Sequence, residues 1–227
     1  MSNEQSFVIR ILFDNRCAKT GFLKGFGFSA LVINNFTKNL LLFDTGGNGN
    51  TLLQNLKQFD LKADDLNKVV ISHRHIDHAG GLEALCAQNS QLKVYVPMSD
   101  LNSYKRSYSD VDFYGIVDLE EIEENVISSG QFGTSIREQC LYLKTKDQSI
   151  VMLVGCTHPG LENFIVKARE LGPIKAIIGG FHGFRKYSYL EDVEVIGACH
   201  CTSHMNAIKK RFPENFKEVC VGSVLSF

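Results

Sequence analysis

The sequence lacks an excess of charge of either sign, because 24 Lys and Arg stand against 25 Asp and Glu and the formal net charge is −1. A chain this close to neutral has no global electrostatic reason to coat nucleic acid or an anionic membrane. Long hydrophobic runs are also missing: Leu40–Phe43 and Ile150–Val154 are far too short to span a bilayer. We therefore expect a small-molecule substrate, and neither nucleic acid nor a membrane as partner.

No low-complexity tract or Pro/Gly-rich linker interrupts the 227 residues, and the polar start at Met1–Ser6 lacks the pattern of a signal peptide. The seven cysteines are odd in number and form no compact framework. Reduced thiols in a cytoplasmic protein are therefore expected. We predict a single domain over residues 1–227, and the sequence leaves its oligomeric state open.

Predicted strands lead into predicted helices in two similar halves of the chain. The strands are Phe7–Phe13, Phe28–Ile33, Leu40–Phe43, Lys68–Ser72, Leu92–Val96, Cys140–Lys144, Ile150–Val154, Ile174–Ile178, Val193–Ala198 and Glu218–Val221. The helices are Thr51–Phe59, one that begins near Gly81, Leu161–Leu171 and His204–Phe212. This order predicts an α/β (α+β) fold in which two sheets pack face to face with helices outside, an αββα sandwich.

The stretch from Pro97 to about Gln139 is polar, with aromatic residues interleaved with charge. We interpret residues 97–139 as an insertion that forms a lid or one wall of a pocket. A solvated surface excursion whose aromatic residues pack locally is an equal alternative.

Histidines are absent before residue 73 and fall in four short segments, each at the end of a predicted strand. They are His73, His75 and His78; His158; His182; and His200 with His204. In the first segment, an extended backbone projects His73 and His75 to the same side, and Asp77 continues that alternation. Histidine is the commonest transition-metal ligand, and this many donors in six residues suit two adjacent metals.

The segment His73-Arg74-His75-Ile76-Asp77-His78 before Gly80-Gly81 resembles the signature of the metallo-β-lactamase superfamily, and the likeness covers most of the chain. Other motifs of that family resemble Asp44-Thr45-Gly46, Gly155-Cys156-Thr157-His158 and Cys199-His200-Cys201. The resemblance implies a four-layer sandwich of two mixed sheets. Its subgroup looks like proteins related to 7,8-dihydropterin-6-methyl-4-(β-D-ribofuranosyl)-aminobenzene-5′-phosphate synthase.

The resemblance implies a ligand set for two divalent metal ions, with zinc first and manganese or iron as alternatives. His73, His75 and His158 would hold metal one, and Asp77, His78 and His200 would hold metal two. Asp44 would orient ligands through hydrogen bonds without binding metal. Cys199 and Cys201 are interpreted as buried small residues, with Cys201 the better candidate for a role near the site.

One position departs from the family pattern, since no Asp lies in the stretch Ile178–Gly183, where a bridging Asp is common. His182 stands there. It is either a further metal ligand or a residue that contacts the substrate, and a satisfied buried histidine is the plainer alternative.

The resulting hypothesis is a dinuclear metal-dependent hydrolase that uses a metal-bound hydroxide on an ester-like bond. Asp77, His182 and His204 are the candidate catalytic residues. Arg185 and Lys186 suggest a small phosphorylated substrate, although a solvated basic loop is the usual meaning of two adjacent charges. One alternative is an enzyme that joins a pterin diphosphate to an arylamine, as dihydropteroate synthase does. Another is a metal-loaded binding protein without turnover.

Overall fold

The computed structural model describes residues 5–227, so most of the polar start at Met1–Ser6 lies outside the described residues. Its strands are β1 Phe7–Phe13, β2 Ser29–Asn34, β3 Leu40–Phe43, β4 Lys68–Val70, β5 Lys93–Pro97, β6 Asp112–Ile116, β7 Glu120–Glu123, β8 Val126–Ser128, β9 Leu141–Lys144, β10 Ile150–Val154, β11 Ile174–Gly180, β12 Val195–Cys199 and β13 Val224–Ser226. Its helices are α1 Gly49–Lys57, α2 Ile76–Ala79, α3 Leu82–Cys86, α4 Leu101–Ser107, α5 Leu161–Arg169 and α6 Met205–Arg211.

Two mixed sheets divide these strands. The first has the order β13-β1-β2-β3-β4-β5-β6, and the second has the order β12-β11-β10-β9-β8-β7. Strands β3 to β6 run parallel to one another, as do β10, β11 and β12. The other pairings are antiparallel.

Strand β10 explains why the chain folds into four layers. All five of its residues are buried, because both faces of the strand are covered. Val151 and Leu153 face the first sheet in one core, while Ile150, Met152 and Val154 pack in another core with residues of α5 and α6. A third core lies between the first sheet and helices α1 and α3. The predicted αββα sandwich is thereby confirmed.

The last predicted strand, Glu218–Val221, is wrong. In that stretch Val221 forms only an isolated bridge with Ala18, and the chain then turns through Gly222, whose φ is +88°. Pairing with β1 begins beyond this turn, at β13.

Residues 97–139, predicted to be an insertion, contribute to both sheets. Helix α4 is followed by β6, which pairs in parallel with β5 at one edge of the first sheet. Strands β7 and β8 extend the second sheet beyond β9. That this segment acts as a lid stays a prediction.

The expectation that all cysteines are reduced is wrong for Cys17 and Cys220, which form a disulfide. Backbone hydrogen bonds between residues 17–19 and Val221 lay the two loops side by side, with Cα atoms 4.9 Å apart. The two cysteines are 203 residues apart in sequence, so spacing could not indicate the pair. Over residues 5–227, the helices are too short or too polar to cross a bilayer. The cytoplasmic location stays a prediction.

Candidate metal centre

The candidate site forms where five strands end. Asp44 follows β3, residues 71–78 follow β4, and Cys156 and His158 follow β10. His182 comes after β11, and His200 comes directly after β12. Because these strands run parallel within each sheet, their carboxyl ends meet at one edge of the sandwich.

The backbone is strained at four of these turns. Asp44, Thr157, His182 and His200 have φ values of 58°, 61°, 44° and 48°, in the left-handed region that favours glycine. A residue held in this region costs about 1–3 kcal/mol and persists only where the surrounding structure fixes it. Such strain is concentrated at functional sites, and here it turns the side chains towards one another.

Asp77, His78 and His200 form the group that we call cluster two. Nε2 of His78 lies 3.2 Å from Nε2 of His200, and Oδ2 of Asp77 lies 3.2 Å from the same His200 atom. The two imidazoles are fully buried or nearly so. These donors, together with the sulfur of Cys156, all lie within 4.8 Å of one another, close enough for a single metal ion.

Hydrogen bonds fix the outward nitrogen of each ring in cluster two. Asp44 Oδ2 accepts a hydrogen bond from His78 Nδ1 at 2.7 Å, and Asn15 Oδ1 lies 2.9 Å from His200 Nδ1. Asp44 also accepts hydrogen bonds from the backbone N–H and the hydroxyl of Ser72. With each Nδ1 engaged, the Nε2 lone pair of both histidines is left for the centre of the cluster.

His73, His75 and His158 form cluster one. Nε2 of His73 lies 3.1 Å from Nδ1 of His75, and the ring of His158 packs edge-on against both. Within residues 5–227, the buried Nε2 of His158 finds no hydrogen-bond partner. An orphaned imidazole nitrogen surrounded by other donors fits a metal ion, because the ion would satisfy it.

The charge states of cluster one also suit metal binding. Burial, together with the neighbouring His182 and His75, lowers the pKa of His158 to about 4. Burial likewise lowers the pKa of His73, to which His78 and His158 add. Both rings are therefore neutral at pH 7, and a neutral imidazole is the form that ligates metals.

Cluster two carries the negative charge. Burial alone would raise the pKa of Asp77, but the hydrogen bond with His200 and the nearby His78 bring the pKa down to about 2. Burial would lower the pKa of His78, yet Asp44 raises it overall. Two carboxylates thus favour positive charge at this cluster, as a divalent cation requires.

His182 lies beside cluster one rather than inside it. Its ring packs edge-on against His158 with 4.9 Å between centroids, and among the described residues it belongs to neither donor group. His182, His158, Arg185 and Lys186 line an open cavity of about 440 Å³.

The remaining predicted residues lie further out. His204 Nε2 accepts a hydrogen bond from Arg185 Nε at 2.8 Å, so His204 is engaged outside both clusters. Lys186 pairs with Glu162 at 2.7 Å in an exposed salt bridge. The structure therefore brings six of the predicted ligands and Asp44 together, and it leaves His204 apart from them.

Sequence reasoning assigned no role in the site to three residues that the structure places there. Glu138 is fully buried and accepts backbone hydrogen bonds from Cys156, Thr157 and His158, which fixes the loop after β10. Burial raises the pKa of Glu138 to about 7, against the effect of these N–H groups. Asn15 and Cys156 are the others. For Cys156 alone a signal existed, since it stands two residues before His158.

Comparison with known families agrees with this geometry. The family model described as "Metallo-beta-lactamase superfamily" matches residues 24–135, which include Asp44 and the histidines of residues 73–78. The chain belongs to the metallo-beta-lactamase superfamily.

Three other proteins are similar to this chain. An uncharacterised protein of Methanocaldococcus jannaschii, MJ0448, is 31% identical, over 77% of this chain and 79% of its own length. The 7,8-dihydropterin-6-methyl-4-(beta-D-ribofuranosyl)-aminobenzene-5'-phosphate synthase of the same organism is 22% identical, over 89% and 90%. The metallo-beta-lactamase fold protein YhfI from Bacillus subtilis superimposes with a TM-score of 0.69 at 13% identity, over 96% and 99%. This last likeness is one of fold.

Proposed function

We propose that the protein is a dinuclear metal-dependent hydrolase of a small phosphorylated ester. The observation that carries the proposal is the convergence of the two donor clusters. In cluster two, the outer nitrogens of His78 and His200 are hydrogen-bonded, which leaves their Nε2 lone pairs for the centre. His73, His75 and His158 would hold one ion, and Asp77, His78 and His200 the other. Asp44 would orient His78. A set of imidazoles with one carboxylate suits zinc first, and it also accepts manganese or iron.

When bound, two divalent ions would lower the pKa of a bound water towards neutrality, and their positive charge would polarise the ester. The protein's own groups would then do the rest. Asp77 is ionised at neutral pH because its pKa is about 2, so it can accept a hydrogen bond from the attacking water as well as bind metal. His182 lines the cavity beside His158, where it can donate to an oxygen that gains charge or leaves.

His204 is the weakest of the proposed catalytic residues. Because its Nε2 already accepts from Arg185, we assign it the task of aligning that guanidinium rather than of transferring a proton. Arg185 would in turn bind the substrate.

The choice of a phosphoester rests on the two cations at the cavity. Arg185 and Lys186 lie on the loop after β11, and the cavity they line extends to His158 of cluster one. A guanidinium binds phosphate oxygens through two parallel hydrogen bonds. The Lys186–Glu162 pair is exposed and worth little in water, so a phosphate can replace Glu162 as the partner.

A second candidate is the condensation of a pterin diphosphate with an arylamine. The likeness to the dihydropterin synthase over nine-tenths of both chains favours it. A metal-loaded protein without turnover is the remaining alternative, and it is less favoured because the cavity with Arg185 and Lys186 opens beside the clusters.

A substrate panel tests the proposal. Metal-loaded protein would be assayed with phosphomonoesters, phosphodiesters, lactones and thioesters, and separately with a pterin diphosphate plus an arylamine. We expect release of phosphate or alcohol from a phosphoester, absent in His73→Ala. Pyrophosphate release that depends on the arylamine would favour the synthase instead. Hydrolysis that is undiminished in His73→Ala would contradict the proposal.

A further inference from the structure

Cys156 stands between the two donor clusters. Its sulfur lies 3.1 Å from Nε2 of His78, in cluster two. The same sulfur lies within 4.8 Å of a donor nitrogen of His73 and of His158, in cluster one. Cys156 is the one residue that belongs to both of these donor groups in the described part of the chain, and it is only 4% exposed.

The loop that carries Cys156 is held in place independently of any metal. Glu138 accepts the backbone N–H of Cys156 at 2.8 Å and also those of Thr157 and His158. The backbone that carries both Cys156 and His158 is therefore fixed by a buried carboxylate. The Nε2 of His158 has no hydrogen-bond partner in residues 5–227. A metal ion bound beside the sulfur would give this nitrogen a partner.

The strand end opposite Cys156 offers no side chain that could bridge the clusters, because it is occupied by Gly180. A Cβ atom at Gly180 would lie 2.5 Å from the carbonyl oxygen of Gly155 and 2.6 Å from the sulfur of Cys201. A side chain at that position would collide with backbone, so β11 cannot supply a carboxylate there. His182, two residues on, packs against His158 at the edge of the cluster.

We propose that Cys156, as a thiolate, bridges the two metal ions of the proposed dinuclear site. A thiolate sulfur has more than one lone pair and a negative charge, so it can bind two ions at once, as a neutral imidazole cannot. Its proton, which the thiol can share with His78 Nε2 in the metal-free protein, leaves to solvent when the metals bind. A soft bridging ligand also favours zinc, cobalt or iron over manganese.

This inference rests on the proposed dinuclear site, and cobalt tests the two separately. Metal-free protein would be titrated with Co²⁺ while bound metal is counted and the near-ultraviolet sulfur-to-cobalt charge-transfer band is recorded. We expect two ions per chain and a band that is lost in Cys156→Ser. Binding of the second ion should weaken by about 100-fold or more, since the loss of an outer partner alone costs about 10- to 100-fold.

Two controls remove one sulfur each without touching the bridge. Cys86→Ser makes the same change at the end of α3, outside both donor clusters, and Cys201→Ser removes a sulfur that lies 3.8 Å from the carbonyl oxygen of Cys156. Both should keep the band. Two outcomes would overturn the bridge and leave the dinuclear site standing. The first is a wild-type protein that binds two ions without showing the band. The second is a band that is lost in Cys201→Ser and kept in Cys156→Ser. One ion or none in the wild type would overturn both.

X-ray absorption of the wild-type zinc protein needs no variant and separates a bridge from a terminal ligand. A bridging thiolate gives every zinc one sulfur neighbour at about 2.3 Å. A terminal thiolate would give, on average, half a sulfur per zinc, and that result would contradict the bridge.

Discussion

The two donor clusters are built from the same kind of residue but are held differently. In cluster two, the outer nitrogens of His78 and His200 are hydrogen-bonded to Asp44 and to Asn15, and both rings are sealed from solvent. In cluster one, His75 and His158 are only half-buried, and His158 borders the open cavity. The difference suggests that cluster two is a preorganised anchor and that cluster one faces the substrate.

The largest effect should come from cluster one. His73→Ala removes a ligand from the ion nearest the cavity, so we expect hydrolysis to fall to the background rate and one ion to be lost. Metal counting together with the phosphoester assay measures both. Loss of the ion from cluster two instead, with activity kept, would reverse the roles that we give to the clusters.

The next effect should separate the clusters by their outer partners. Asp44→Asn removes the negative charge that faces His78, so we expect the second ion to bind about 10- to 100-fold more weakly. Asn15→Ala should act in the same direction through His200. Competition with a chelator measures each affinity, and an equal loss at both clusters would show that Asp44 does not act on cluster two alone.

A smaller effect is expected at the cavity. Replacing Arg185 and Lys186 by Ala should raise KM for a phosphorylated substrate by about 10-fold, the value of one charged hydrogen bond, with metal content unchanged. The matched control is Lys209→Ala with Lys210→Ala, an adjacent exposed pair on α6. An unaltered KM in the cavity variant would exclude the phosphate contact.

The smallest effect on metal binding and activity should come from a network remote from both clusters, because this network stabilises the fold and not the site. Glu123 accepts hydrogen bonds from Asn34 and Asn39 and pairs with Lys68. Glu123→Gln should lower the free energy of unfolding at pH 7 by about 2 kcal/mol, because charged hydrogen bonds are lost. Denaturant unfolding of both proteins measures this, and metal affinities should not move.

The same network should make the free energy of unfolding depend on pH. Burial alone would raise the pKa of Glu123, but Lys68 and Thr37 hold it below the ordinary value of 4.5. The unfolded chain therefore binds more protons near and below pH 4.5, so the contribution is complete above that pH and is lost as the pH falls further. The gap between the wild type and Glu123→Gln should close on acidification, and a gap that widens would contradict this.

The sequence indicated the fold and the histidines because both depend on local patterns. Hydrophobic runs and the strand-end positions of His73, His158 and His200 can be read along the chain. Contacts between distant segments could not be read in this way. The Cys17–Cys220 disulfide and the hydrogen bond of Asn15 to His200 join the two ends of the chain.

The sequence did not predict the place of Cys156 for the same reason. Its sulfur belongs to the site because β10 lies between β9 and β11 and sets the loop after it beside residues 73–78. Cys201 was the expected sulfur near the site, and it lies next to Cys156, which is itself closer to the histidines.

The central claim is that the clusters hold two metal ions, and a metal count tests it most directly. Protein purified without added metal, then equilibrated with zinc and freed of excess by gel filtration, should carry two zinc ions per chain. His200→Ala should carry one. A wild-type content of one ion or none, unchanged by that substitution, would contradict the dinuclear site and with it the proposed hydrolase.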